Sequence, residues 1–192
     1  MNKFFEKIAY FKNQLSTKTE QQVARILFNY SIKLSTAESC TGGLLSSRLT
    51  DIAGSSSYTK ENFITYANEA KINILNVNPE TLETYGAVSE ECAKEMAEGL
   101  YNKTGCDIAI STTGIAGPTT NEEGKPIGLM YVAIKNKYAL ECKKININPH
   151  HSRKMIKYLF TQEALNFLIE FLNKNYTSIS QLTDSTIQDV SQ

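Results

Sequence analysis

Histidine is scarce in this chain, occurring only at His150 and His151, and no C-x-x-C pair is found among Cys40, Cys92, Cys106 and Cys142. Zinc sites are built from short paired spacings of these residue types, so no metal is expected. Scattered thiols without a disulfide framework fit a reducing compartment, and a cytoplasmic location is the expectation. A charge excess is also missing. Twenty basic and twenty acidic side chains cancel, whereas a nucleic-acid surface normally shows as a basic surplus; no nucleic-acid partner is expected. No apolar run reaches the length of a bilayer span, and the leading Lys3-Phe4-Phe5-Glu6-Lys7-Ile8 carries charges where a signal peptide would be apolar. No membrane association is expected. Nor is there an internal repeat. The P-loop is excluded too: Gly117 and Gly124-Lys125 stand at the wrong interval, and Pro126 takes the place of the magnesium-binding hydroxyl.

What is present is a chain of 192 residues, enough for one domain with a substantial core. Residues 4–30 alternate apolar and polar groups at helical spacing, ending with Val23, Ile26, Leu27 and Phe28. Ile32-Lys33-Leu34 reads as a strand edge running into a turn from Ser35 to Gly43, followed by Leu44, Leu45, Leu49 and Ile52 near helical spacing. Phe63-Ile64-Thr65-Tyr66 is a second β-rich run, and a helix is predicted from Asn68 to Leu75. Pro79 opens a short helix that ends near Gly86, and Ser89 caps a longer one bounded by Gly105. Ile108-Ala109-Ile110 is a buried strand leading to a second glycine turn at Thr112–Pro118. Residues 129–134 and 140–147 form an antiparallel hairpin about Asn136-Lys137, and a last helix spans about 152–172. The domain is assigned to residues 1–174, and 175–192 form a polar tail rich in Ser, Thr, Gln and Asp. Strands alternating with helices and a terminal hairpin predict a three-layer α/β/α sandwich with a mixed, mostly parallel sheet. Its ligands belong at the C-terminal strand ends, where both glycine turns fall.

The chemistry concentrates in Ser35-Thr36-Ala37-Glu38-Ser39-Cys40-Thr41-Gly42-Gly43. A helix start with free N–H groups attracts an anion or a developing oxyanion, and glycines let a ligand approach the main chain; a plain capped helix accounts for the same residues. Ser39 needs a base to become a nucleophile. The histidines precede the last helix beside Arg153 and fit a surface or phosphate-facing role as well as catalysis. Lys71, near the start of a helix after a strand, is the other candidate base, against an ordinary solvated lysine. Tyr66 suits proton transfer, ring stacking or structure, and Cys40, at a helix start that favours its thiolate, is the second candidate nucleophile or a small buried support.

Taken together, Thr36–Gly43, Thr65-Tyr66-Ala67-Asn68-Glu69-Ala70-Lys71, Gly86-Ala87-Val88-Ser89-Glu90 and Thr113-Gly114-Ile115-Ala116-Gly117-Pro118 resemble, in order and spacing, the CinA C-terminal domain family over about residues 20–172. The resemblance implies a nicotinamide mononucleotide deamidase, converting that nucleotide to nicotinate mononucleotide and ammonia in pyridine-nucleotide recycling, without metal or cofactor. It makes Ser39 the nucleophile, Lys71 its base and Tyr66 an active-site partner. Cys40, Thr41, Gly42 and Gly43 become substrate-binding, as do Thr113, Gly114 and Arg153, the last suited to a phosphate. The oxyanion falls to backbone donors of either Cys40–Gly43 or Thr113–Gly114. The chain departs from the family pattern at Asn62, where glycine is common and a positive φ is expected; at Lys157, in place of a second arginine; and at Thr119–Glu123, in place of a glycine-rich loop. The fold absorbs the first; the other two would alter affinity or leave a weak enzyme, which makes a nucleotide-binding regulatory module one rival reading, and a competence- or stress-linked interaction protein with an incidental pocket is another. A homo-oligomer is expected. The chain shows no counterpart of the separate N-terminal domain of full-length CinA proteins, whose pyrophosphatase activity is therefore not expected of it.

Overall fold

The computed structural model describes residues 18–120 and 124–177. The first part of the predicted N-terminal helix, the centre of the 119–125 loop and most of the polar tail lie outside the described residues. Five strands form one sheet in the order β2-β1-β3-β4-β5, with β1 at Leu34–Glu38, β2 at Thr59–Ile64, β3 at Ile108–Gly114, β4 at Leu129–Lys135 and β5 at Leu140–Asn146. β1 pairs in parallel with both β2 and β3, while β3–β4 and β4–β5 are antiparallel. Four strands therefore share one direction and β4 opposes them, which is the mixed α/β sandwich expected.

Right-handed crossovers set the layering. From β1 to β2 the chain moves one way along the sheet through α2 (Leu44–Thr50). From β2 back past β1 to β3 it moves the other way through α3 (Asn68–Leu75), α4 (Pro79–Tyr85) and α5 (Glu90–Thr104). Opposite directions at one handedness require opposite faces. On the first face, α1 (Lys18–Asn29) and α6 (Arg153–Leu172) pack beside α2.

The helices follow from their sequences. Ser89 Oγ accepts from Cys92 N at 3.2 Å, so that helix begins at its predicted cap, and Ser152 Oγ accepts from Met155 N at 3.3 Å, an unpredicted cap at the start of the last helix. In α5, Cys92, Ala93, Met96, Ala97 and Leu100 make one buried stripe against the sheet, and the small residues bring the helix close. Close approach is most evident at Gly99: a Cβ there would stand 1.7 Å from Leu75 O, so the end of α3 lies directly on α5. α6 is buried along most of its length by Met155, Ile156, Phe160, Leu165, Leu168 and Phe171. A polar tie runs across this layer. Arg48 Nε donates to Glu20 Oε1 at 2.6 Å, its two Nη atoms reach Thr161 and Gln162 at 2.8 Å, and its guanidinium lies over the Tyr158 ring. Such a buried pair joins α1, α2 and α6, and loss of one partner is costly because the other charge stays buried.

β1 corrects the expected placement of the first strand. Ser35, Thr36, Ala37 and Glu38 belong to the strand, which is buried throughout, and the turn begins only at Ser39. Apolar alternation could not reveal this, because three of the five strand residues are polar. Ser35 Oγ accepts from Glu61 N at 3.2 Å, and Thr36 Oγ1 bonds Ser46 Oγ at 2.7 Å and Asn62 Oδ1 at 3.1 Å. Asn62 likewise departs from expectation. It sits inside β2 and is not among the positive-φ residues; its side chain is used as an acceptor for Thr36. β2 also ends sooner than predicted, so Thr65 and Tyr66 lead out of the sheet.

Candidate functional site

The C-terminal ends of β1, β2 and β3 surround a cavity of about 200 Å³. From the β1 turn come Ser39 and Cys40, from the segment after β2 come Tyr66, Asn68 and Lys71, and from β3 and its loop come Thr113 to Ala116. Ala87, Val88 and Arg153 complete the wall. The two glycine turns thus converge as the sheet topology predicts. His150 and His151 do not line the cavity, and among the described residues no three His, Cys, Asp or Glu side chains gather as a metal-binding set.

Ser39 and Lys71 meet inside it. Lys71 Nζ lies 3.1 Å from Ser39 Oγ, and also reaches Thr65 O at 3.0 Å and Tyr66 O at 3.3 Å. The lysine is 1 % exposed and the serine 8 %, so the solvated-lysine account of Lys71 is set aside. An ammonium donates to all three oxygens. A neutral amine would give its two N–H groups to the carbonyls and turn its lone pair to the serine hydroxyl. Sequence spacing could not reveal that proximity, since the two residues stand 32 positions apart.

Backbone geometry fixes the turn. Gly42 and Gly43 have φ of 58° and 89°, the left-handed region that glycine enters without a Cβ penalty. Ser39 N donates to Thr112 O at 3.0 Å, and Thr41 Oγ1 bonds Thr112 Oγ1 at 2.8 Å, so β3 anchors the turn. Lys157, one helical turn beyond Arg153, brings its Nζ to 3.2 Å from where a Cβ on Gly42 would stand. The substituted lysine therefore still reaches the turn.

The expectation of an open anion site at the start of α2 is corrected. Glu38 occupies it: Gly43 N and Leu45 N donate to Oε2 at 2.9 and 3.1 Å, and Ser46 N donates to Oε1 at 2.7 Å, joined there by the Ser46 hydroxyl. Gly42 N and Leu44 N are taken by Ser39 O and Thr41 O. On the β3 side Ile115 N is bonded to Leu129 O, and Gly114 pairs with Met130 in the sheet. Among the described residues, Cys40 N and Thr41 N are the turn's N–H groups beside Ser39 without a backbone acceptor. Sequence reasoning missed the part of Glu38; a lone acid at the end of an otherwise uncharged strand was the signal.

Cys40 is corrected as a nucleophile. Burial, with the Glu38 carboxylate adding to it, pushes its thiol from 9.0 up to about 12, which keeps it protonated and unreactive. It is the buried support of the turn. Thr113 faces the cavity but donates its hydroxyl to Ala87 O at 2.6 Å, tying the wall before α5 to β3. Arg153 donates through Nη1 to Gly117 O and through Nη2 to Tyr66 Oη at 2.9 Å. Tyr66 itself is 58 % exposed at the mouth; its carbonyl, rather than its phenol, meets Lys71.

Comparison with known proteins covers the same region. The family model for the CinA C-terminal domain matches residues 16–172. The chain is 46 % identical over 156 residues to a CinA-like protein of Chloroherpeton thalassium, covering 80 % of the chain and 37 % of that protein. It spans well under half the length of such curated relatives. Among solved structures, a CinA superfamily protein from Klebsiella pneumoniae superposes with a TM-score of 0.79 at 34 % identity, covering 82 % of this chain and 98 % of that one. The competence/damage inducible protein CihA from Agrobacterium tumefaciens gives 0.75 at 38 % identity, with 81 % and 95 % covered. With the model match over most of its length and with these likenesses, the chain belongs to the CinA C-terminal domain family.

Proposed function

We propose that the protein is an amidohydrolase that converts nicotinamide mononucleotide to nicotinate mononucleotide and ammonia. The observation that carries this reading is the buried Lys71 Nζ at 3.1 Å from Ser39 Oγ, inside a cavity at the strand ends. With neutral Lys71 as base, Ser39 Oγ attacks the carboxamide carbon as its proton passes to the amine. The positive charge of a pyridinium bound nearby works against a second cation at that position. On this reading the oxyanion falls to Cys40 N, which has no backbone acceptor and belongs to a residue of the cavity wall, such a donor being worth about 3 kcal/mol in the transition state. The ammonium then returns its proton to the leaving nitrogen, ammonia departs, and a nicotinoyl ester remains on Ser39. Water, deprotonated by the regenerated amine, cleaves that ester. Arg153 supplies a planar cation for the substrate phosphate, exchanging its Gly117 carbonyl or Tyr66 phenol for phosphate oxygens.

The test is direct. Purified protein incubated with nicotinamide mononucleotide should release ammonia and nicotinate mononucleotide in equal amounts, and Ser39→Ala should retain binding but lose turnover. Calorimetric binding without product in the unaltered protein would favour a nucleotide-binding regulatory module instead.

A further inference from the structure

We propose that Glu38 is a positioning residue that sets the Ser39 hydroxyl against the Lys71 amine; the inference deepens the reading of that pair as nucleophile and base, and rests on it. Glu38 is fully buried, immediately precedes Ser39, and does not line the cavity, so it can act only through its neighbours. Its side chain gathers Gly43 N, Leu45 N, Ser46 N and the Ser46 hydroxyl. A carboxylate has about four acceptor positions, and these donors match them. Because Gly43 lies five residues on, the contact closes Ser39–Gly43 into a ring pinned by its own first anchor.

The main chain of the same residue serves the other partner. Glu38 O accepts from Thr65 N at 2.8 Å, and Thr65 O accepts from Lys71 Nζ at 3.0 Å. One residue therefore holds the turn bearing the hydroxyl with its side chain and the segment seating the amine with its carbonyl. Ordinary helix capping needs no such arrangement: a Ser or Asp beside the helix does it at the surface, whereas a buried carboxylate must recover its hydration from every donor it meets. A glutamine would keep one acceptor oxygen and set an NH2 group against N–H donors, loosening the ring without changing its volume.

The experiment compares the unaltered protein, Glu38→Gln and Ser46→Ala with a fluorophosphonate probe. Here Ser39 Oγ bonds phosphorus, fluoride leaves, and the serine proton passes to Lys71, so the readout needs no nucleotide. Glu38→Gln should be labelled about 100-fold more slowly, the scale of roughly 1 Å of misplacement, and should show a matching loss of kcat on nicotinamide mononucleotide with KM little changed. A crystal structure of Glu38→Gln should show Ser39 Oγ drawn away from the 3.1 Å contact. If Glu38→Gln does not fold, Ser46→Ala carries the same comparison, with a smaller loss expected. Labelling equal to the unaltered protein, or a loss that follows only the folded fraction, overturns the inference. Probe labelling that depends on Glu38 in a protein inert toward the nucleotide would sink the substrate assignment and leave the positioning role standing.

Discussion

The two halves of the sheet use their interiors differently. On the parallel side, β1 and the end of β3 bury Ser35, Thr36, Glu38, Ser111, Thr112 and Thr113; on the antiparallel side, β4 buries Leu129, Met130, Val132, Ala133 and Ile134. Polar groups in a core are tolerated only when hydrogen-bonded, and each demands a specific partner. The parallel half satisfies them across elements: Ser111 Oγ to Ala93 O at 2.6 Å, Thr113 to Ala87 O, Thr41 to Thr112. Such bonds fix positions to fractions of an ångström and add little net stability. The hairpin half contributes apolar burial and asks for no such geometry. One half is a jig for the site, and the other a ballast for the fold.

Exchanging the buried amine tests the first half most severely. Lys71→Met should lower kcat on nicotinamide mononucleotide by about 10⁴-fold, the upper scale for loss of a general base, while circular dichroism remains that of a folded protein. A loss under tenfold would show that the parallel half holds no essential base. In the second half, Ile134→Ala should cost about 2–5 kcal/mol in denaturant unfolding through the cavity it leaves, and the activity of the folded fraction should stay unchanged. An altered kcat in that variant would erase the distinction between the halves.

Alkaline titration gives the smallest effect and samples both sides. The thiols of Cys40, beside the site, and Cys142, on β5, are each raised from 9.0 to about 12, first by burial and then by neighbouring carboxylates. Because the folded state holds these protons more tightly than the unfolded chain, their stabilisation is complete below pH 9 and fades as pH rises from 9 toward about 12. Thermal melts should therefore decline over that window, and less steeply in Cys40→Ala and Cys142→Ala. Iodoacetamide should leave Cys40 unmodified near neutral pH; rapid alkylation there would restore it as a competing nucleophile.

Much of the fold was legible because it rests on local rules. Asn68–Leu75 and Pro79–Tyr85 match their predicted ranges within a residue, as does the Ser89-capped helix, since Pro at a helix start, a capping serine and a terminal glycine act on their nearest neighbours. β1 was misplaced for the opposite reason: its burial is made possible by Ser46, Glu61 and Asn62, which are distant in sequence. The site divides the same way. Both glycine turns could be read directly; of the residues the family resemblance assigned to the site, Ser39, Cys40, Tyr66, Lys71, Thr113, Gly114 and Arg153 line one cavity, whereas Thr41, Gly42 and Gly43 do not. Glu38 escaped notice because an acid on a short strand looks solvated until the donors of α2 fold over it.

The contact of Gly99 with Leu75 O carries a warning for anyone seeking a hardier version of this protein. Glycine inside a helix is a customary target for replacement by alanine, with a gain of about 1 kcal/mol where space allows. Here a methyl group would stand 1.7 Å from a carbonyl oxygen, and the short helix it displaced would be the one that carries the amine. The conventional improvement would draw the Lys71 amine away from the Ser39 hydroxyl.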